Sequence, residues 1–311
     1  MQAFQKPRLL IVTGRSLSKL QISIDALKKD SPDVEYRPWV VDLSSQKSVR
    51  ASAAELLSWS DVPEVDLMVN SAGVMGIQER TLTEDGIEAH FATNHIGHWL
   101  LTNLILPKLV TAAQGKPKGT VRVVNVSSRS PTVSVMRWSD MNFDKVNREL
   151  SEAEQPPYAF IKGWGYKDPE NMSYIPIEGY SQSKVANVLF GIGATRRWYE
   201  RHGILVLALH PGIISTELGR NFPQETLDSI KGMADSGVFT YKTLGAGAST
   251  SLVAALDPKL GPGETRDGKE NYGAFLDNCQ ISVEARDQAV SSAEAEKLWK
   301  VSEELVKQKF E

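Results

Sequence analysis

Tyr180 and Lys184 stand four residues apart in Tyr180-Ser181-Gln182-Ser183-Lys184, inside a stretch that reads as helix. That spacing places both side chains on one face, one turn apart. Free tyrosine titrates near pH ~10, and a neighbouring cation favours the phenolate and lowers that value. A phenol tuned in this way hands a proton to a carbonyl oxygen or takes one from an alcohol. Alone, the pair reads equally well as an exposed helix pair. Ser128 follows the apolar run Val121–Val126, where its hydroxyl is placed to hydrogen-bond a substrate oxygen; the plain alternative is a cap or turn serine. Asn94 interrupts a helical pattern although asparagine is a poor helix former.

Other chemistries lack their full residue sets. His90, His95 and His98 cluster in sequence, but no carboxylate or cysteine completes a metal-ligand pattern around them, and no metal is expected. A serine hydrolase needs a G-x-S-x-G elbow, and Ser128 has none.

The elements that must position these residues alternate between short β-branched runs and longer amphipathic segments. Strands are predicted at Leu9–Thr13, Tyr36–Val41, Val65–Asn70, Val121–Val126, Ile204–Leu209 and Gly273–Leu276. Helices are predicted at Leu17–Lys29, Gln46–Trp59, Thr83–Ala113, Tyr180–Arg201, Thr243–Leu256 and Ser291–Phe310. Several strands are apolar without alternation, as in strands buried on both faces. The expected fold class is α/β with a doubly wound, mostly parallel sheet, and ligands at the carboxyl ends of its strands. One domain over residues 1–311 accommodates two excursions. Arg129–Gly179 holds Trp138, Tyr158, Phe160, Trp164, Tyr166 and Tyr174; it reads as a lid over an apolar substrate or as a surface-packing insertion. Glu217–Tyr241 is a second, lid-like excursion.

Bulk properties set the class. The 311 residues carry a net charge of -3, with 41% hydrophobic and 23% charged residues. A pI near 6.0 and the lack of a basic run argue against nucleic-acid binding. The single cysteine, Cys279, excludes an intrachain disulfide and fits a reducing compartment. The first residues lack the apolar core of a signal peptide, and no run has the length of a membrane span. A cytoplasmic location is expected.

Taken in order, the landmarks Gly14-Arg15, Asp42-Leu43, Asn70-Ser71-Ala72-Gly73, Asn94, Ser127-Ser128, Tyr180, Lys184, His210-Pro211-Gly212 and Thr216 resemble the short-chain dehydrogenase/reductase family, and within it the retinol-dehydrogenase-like branch. The resemblance spans about residues 8–280 and implies a Rossmann-like fold. It implies that Ser128, Tyr180, Lys184 and Asn94 are catalytic. Tyr180 would be the acid/base, Lys184 would lower its pKa and hold the nicotinamide ribose, and Asn94 would hold a water in a proton relay. It also implies a nicotinamide cofactor contacted by Arg15, Asp42, Leu43, Asn70, Ala72, Gly73, Pro211, Gly212, Ile214 and Thr216. Asp42 would meet the adenine; otherwise it is a cap or turn residue. Arg15 stands where NAD-preferring members carry an acid, so NADP is the expected cofactor. The substrate would be a mid-sized apolar carbonyl compound or secondary alcohol. The helices at Thr83–Ala113 and Tyr180–Arg201 could pair across a homodimer.

The pattern departs at its start. Ser18 and Leu20 occupy the places of two glycines in the family's glycine-rich turn, and the interval from Arg15 to Asp42 fits the second and third strands of the family. The first strand, its turn and its helix are therefore expected to be missing. A shortened sequence of a complete enzyme is the favoured account. A relative that folds without cofactor, and a substitute element in the gap, are the others. The rival function is a non-catalytic binding or scaffold relative that has lost cofactor binding.

Overall fold

A computed structural model describes residues 7–310. The elements in chain order are β1 (Leu9–Gly14), α1 (Leu17–Asp30), β2 (Glu35–Val40), α2 (Gln46–Ser58), β3 (Leu67–Asn70), α3 (Ala89–Phe91), a π-helical turn (Ala92–Ile96), α4 (Gly97–Leu104) and α5 (Leu106–Ala113). Then follow β4 (Val121–Val126), α6 (Tyr158–Gly163), α7 (Pro176–His202), β5 (Ile204–His210), α8 (Gln224–Asp235) and α9 (Leu244–Leu256). The chain closes with β6 (Glu264–Arg266), β7 (Lys269–Tyr272), β8 (Phe275–Asp277), β9 (Gln280–Ile281) and α10 (Ser292–Val306). Local chemistry sets several boundaries. Ser16 and Ser45 cap α1 and α2 through their hydroxyls. Pro176 opens α7, and Gly203, left-handed at φ 74°, closes it.

Apart from the antiparallel hairpin β6–β7, the strands lie in two sheets and pair in parallel, as their apolar runs predict. β1 and β2 form one; the other has the order β3-β4-β5-β8-β9, with only β9 antiparallel. β5 is buried throughout. The break between β1 and β3 falls where the sequence predicts a missing strand. Among the described residues each of these strands has one partner, and apolar side chains beside the break are open to water: Leu10 is 38% exposed, Leu67 39% and Val69 46%. Helices hold the sheets together. Trp39, Val41 and Leu43 share one core with Phe91, Ile96, Trp99 and Val121. The helix backbone at Gly97 lies so close to Leu43 that an added Cβ would stand 2.2 Å from the Leu43 carbonyl oxygen.

One expectation needs correction, and two elements were not expected. The helix predicted from Thr83 starts at Ala89, because Thr83–Glu88 makes a turn at Gly86 (φ 74°) in which the Thr83 amide donates to the Ile87 carbonyl and the Gly86 amide to the Thr83 carbonyl. It is also interrupted, at the π turn and at Ile105. The hairpin β6–β7 and helix α8 escaped the sequence reading, although Asp267-Gly268 is a hairpin-turn signal. α10 packs on α4 and α7: the Trp299 ring lies against Trp99, Phe190 and Trp198 at centroid distances of 5.2, 6.4 and 6.0 Å.

Candidate active site

Pro176 starts α7 four residues before Tyr180, so the tyrosine falls in the second turn, at the carboxyl end of β4. Tyr180 and Lys184 are both buried, 6% and 4% exposed. The Lys184 ammonium lies 5.6 Å from the Tyr180 ring centroid and donates to the Val126 carbonyl at 2.9 Å. Asn187 donates to the same carbonyl at 3.3 Å, and Ser127 Oγ donates to the Lys184 carbonyl at 2.6 Å, so the end of β4 is stitched to α7. Ser128 Oγ accepts the Ser130 amide at 2.9 Å and donates to Ser130 Oγ at 2.8 Å, and it lies near enough to the Tyr180 phenol to act on its proton affinity. It is thus a turn serine and a neighbour of the tyrosine at once.

Asn94 sits in the π turn, an interruption often found at functional sites. Its amide donates to the Val74 carbonyl and to Ser183 Oγ, both at 2.9 Å, and accepts from the Val74 amide at 2.8 Å. It clamps the turn Asn70-Ser71-Ala72-Gly73 against α7. Gly73 is packed tightly: a Cβ there would meet Asn94 Oδ1 at 3.0 Å and Lys184 Nζ at 3.6 Å. Asn70 donates to Asn125 Oδ1 at 2.9 Å and Thr102 Oγ1 at 3.2 Å. His98, given no role in the sequence reading, donates from Nε2 to the Ala72 carbonyl at 2.8 Å. The three clustered histidines diverge, His90 to Glu88, His95 to Ser302 and His98 to this turn.

Burial dominates the electrostatics. It pushes the Tyr180 phenol above its ordinary value, with the Ser128 hydroxyl pulling weakly the other way. The lowering expected from Lys184 does not operate in this geometry, where the ammonium is engaged with the Val126 carbonyl. Burial lowers Lys184 to about 8 and His98 to about 4. His210 is also lowered to about 4, by burial and then by Arg129 and Lys242.

The two excursions meet beside Tyr180. Met75, Phe160, Trp164, Tyr166 and Met172 pack around Ile161, Ile175, Ile177 and Tyr180. From the second excursion Phe222 reaches Trp164, with centroids 5.8 Å apart, and Asn221 donates to the Met75 carbonyl at 3.2 Å. Gly76, at φ 71°, makes the seat for Phe222: a Cβ there would stand 2.7 Å from the ring. The aromatic insertion is ordered packing against the site.

Of the residues expected at the nicotinamide end, the turn Asn70–Gly73 lies beside Asn94, His98 and Lys184 and the others follow β5, while those expected at the adenine end follow the strands of the smaller sheet. After β5, Gly212 has φ 94° and lies against the Lys242 side chain, Ile214 packs on Gly247, and Thr216 Oγ1 caps the next turn through Leu218. Lys242 donates to Asn278 Oδ1 at 2.7 Å; this neighbour of Gly212 also escaped the sequence reading. Arg15 is exposed after β1, and among the described residues no carboxylate pairs with it. Asp42 Oδ1 accepts from the Ser44 amide and hydroxyl at 3.0 and 2.6 Å, so the turn role is realised. These residues fit a nicotinamide dinucleotide at both ends: a crowded glycine turn beside a buried lysine at one, a free guanidinium at the other. The glycine-rich turn for the diphosphate between them is not in the described chain.

Residues 2–140 match the short chain dehydrogenase family. The chain is 38% identical over 206 residues to the oxidoreductase fscI of Fusarium equiseti, covering 66% of this chain and 77% of that one. It is 34% identical over 266 residues to retinol dehydrogenase 14 of Homo sapiens, covering 86% and 65%. In fold it is similar to the NADPH-bound carbonyl reductase from chicken fatty liver, with a TM-score of 0.53 and 18% identity over 89% of this chain and 88% of that one. The chain belongs to the short-chain dehydrogenase/reductase family of oxidoreductases. Among its described residues no helix is long and apolar enough to cross a membrane.

Proposed function

We propose that this chain is an NADP-dependent oxidoreductase that moves a hydride between the nicotinamide and a carbonyl or secondary alcohol of a mid-sized apolar molecule. The observation that carries the reading is the convergence of Ser128, Tyr180, Lys184 and Asn94 at the carboxyl end of β4. The cofactor, when bound, supplies the hydride. Arg15 would hold its 2′-phosphate; Asp42 and Leu43 would border the adenine. Asn70, Ala72, Gly73, Pro211, Gly212, Ile214 and Thr216 would line the nicotinamide end. In the direction of reduction, Ser128 then donates a hydrogen bond to the substrate oxygen, and Tyr180 gives that oxygen its proton. The Lys184 ammonium holds the ribose and favours the resulting phenolate. Asn94 keeps Lys184 and the turn at Gly73 in register, with a water completing the return path for the proton. The apolar wall of Phe160, Trp164, Tyr166 and Phe222 supports an apolar substrate, and the unpaired Cys279 fits a cytoplasmic setting.

The test is a fluorescence titration of the 311-residue chain with NADPH and NADH, followed by NADPH consumption over a panel of apolar ketones and aldehydes. Saturable, NADPH-preferring binding and turnover that Tyr180→Phe abolishes are expected. A folded chain that binds neither nucleotide would be either the non-catalytic relative or a shortened sequence of a complete enzyme, and restoring a first strand with its glycine-rich turn separates the two: binding regained marks the enzyme, binding still absent marks the non-catalytic relative.

A further inference from the structure

Glu88 and His90 are both fully buried, and the proton path above does not use them. Glu88 Oε1 accepts from His90 Nδ1 at 2.8 Å, while Oε2 accepts the Phe91 amide at 2.9 Å and so caps the helix that leads to Asn94. The other imidazole nitrogen, Nε2, accepts the Ile77 amide at 3.4 Å. Tyr174 donates to the Ile77 carbonyl at 2.8 Å, with its hydroxyl 3.4 Å from His90 Nδ1. The pair also abuts α7: a Cβ on Gly179 would stand 3.0 Å from His90 Nδ1 and 3.2 Å from Glu88 Oε1. The imidazole meets the Tyr180 ring edge-on, with centroids 6.4 Å apart at 79°.

Three pieces of the site therefore rest on one polar pair: the loop after Gly73, the helix with Asn94 and the first turns of α7. Apolar side chains of similar volume would fill this space at lower desolvation cost, and packing alone gives no reason for a glutamate and a histidine here. Resting on the reading given under Proposed function, we infer that Glu88 and His90 are positioning residues that hold the Tyr180 ring in one pose beside Ser128. They touch no reacting atom. Their hydrogen bonds fix where the phenol points, and small errors in that placement cost rate steeply.

The test compares His90→Leu with His90→Gln in the full chain. A glutamine can donate to Glu88 and accept from Ile77; a leucine can do neither. With 3-fluorotyrosine incorporated, the Tyr180 fluorine signal is assigned by its loss in Tyr180→Phe. One sharp line is expected in wild type and His90→Gln, and a split or broadened line in His90→Leu. With an active carbonyl substrate, kcat in His90→Leu should fall at least about tenfold while NADPH affinity stays within about twofold, and His90→Gln should recover most of it. If His90→Leu does not fold, Glu88→Gln, which keeps the shape of the pair, takes its place. A single sharp Tyr180 line in the disrupted variant, or an unchanged kcat with only a lower melting temperature, overturns the inference. Absence of turnover in wild type would bear on the oxidoreductase reading alone, and the line shape would still decide the role of the pair.

Discussion

Burial moves the two titratable residues of the site in opposite directions, Tyr180 up and Lys184 down to about 8. For Lys184 the consequence for stability has a definite sign. Below pH ~8 both folded and unfolded chains carry the ammonium, and its burial costs the fold. Between about 8 and 10.5 the unfolded chain holds a proton that the folded chain has released, so stability rises with pH across that window, by up to about 3 kcal/mol. Urea midpoints at increasing pH should therefore climb for wild type relative to Lys184→Met, in which Tyr180 is retained and its opposite contribution cancels. Equal slopes would show that the ammonium is not desolvated. Arg15 gives a second residue-scale prediction. Arg15→Glu should weaken NADPH binding at least about tenfold and leave NADH within about threefold, because only the 2′-phosphate meets that side chain; equal losses would remove Arg15 from the phosphate site. These residues were legible in the sequence because their chemistry and order are diagnostic together. Glu88, Tyr174 and Lys242 were not: each becomes informative only through a neighbour far away in the chain.

At the scale of elements, the strands and most helices followed from apolar runs and serine caps, while the excursions did not, since irregular chain has no period to read. What orders them is side-chain packing. Most of the second excursion is exposed, and Phe222 and Thr226 are its buried side chains between Glu217 and Tyr241. Phe222, seated between Trp164 and Gly76, is therefore the main anchor of this excursion. Phe222→Ala should free the segment and speed tryptic cleavage after the exposed Arg220 and Lys231 at least about fivefold, with the rest of the chain as resistant as wild type. Unchanged cleavage would mean that other contacts hold it. A second element-level prediction concerns the crossing of α4 with the chain after β2. Gly97→Ala places a methyl group 2.2 Å from a backbone oxygen that cannot rotate away, so the two must separate. A loss of about 2–3 kcal/mol in denaturant unfolding is expected, and a neutral substitution would show that the two sheets are not fastened there.

On the scale of the whole molecule, the spacing of Arg15 and Asp42 already implied a chain without the family's first strand, and the division into two sheets is the physical form of that gap. The sequence could not show how the halves stay together, because that depends on tertiary contacts among Trp39, Leu43, Phe91, Ile96 and Trp99. Nor could it show that α10 would cover α4 and α7. The gap has a measurable consequence. Strands buried inside a sheet protect their amides on both sides, as β4 does between β3 and β5 and β5 does between β4 and β8. β1 and β3 each have one bonded neighbour among the described residues, and apolar Leu10, Leu67 and Val69 lie partly in water beside them. An amide that faces solvent exchanges without waiting for the fold to open. Hydrogen exchange of the folded chain, resolved by residue, should therefore show every second amide of β1 and β3 exchanging at least about a hundredfold faster than those of β4 and β5. Uniform slow exchange along β1 and β3 would mean that a further strand or a partner occupies the break, and the two-sheet arrangement would have to be abandoned.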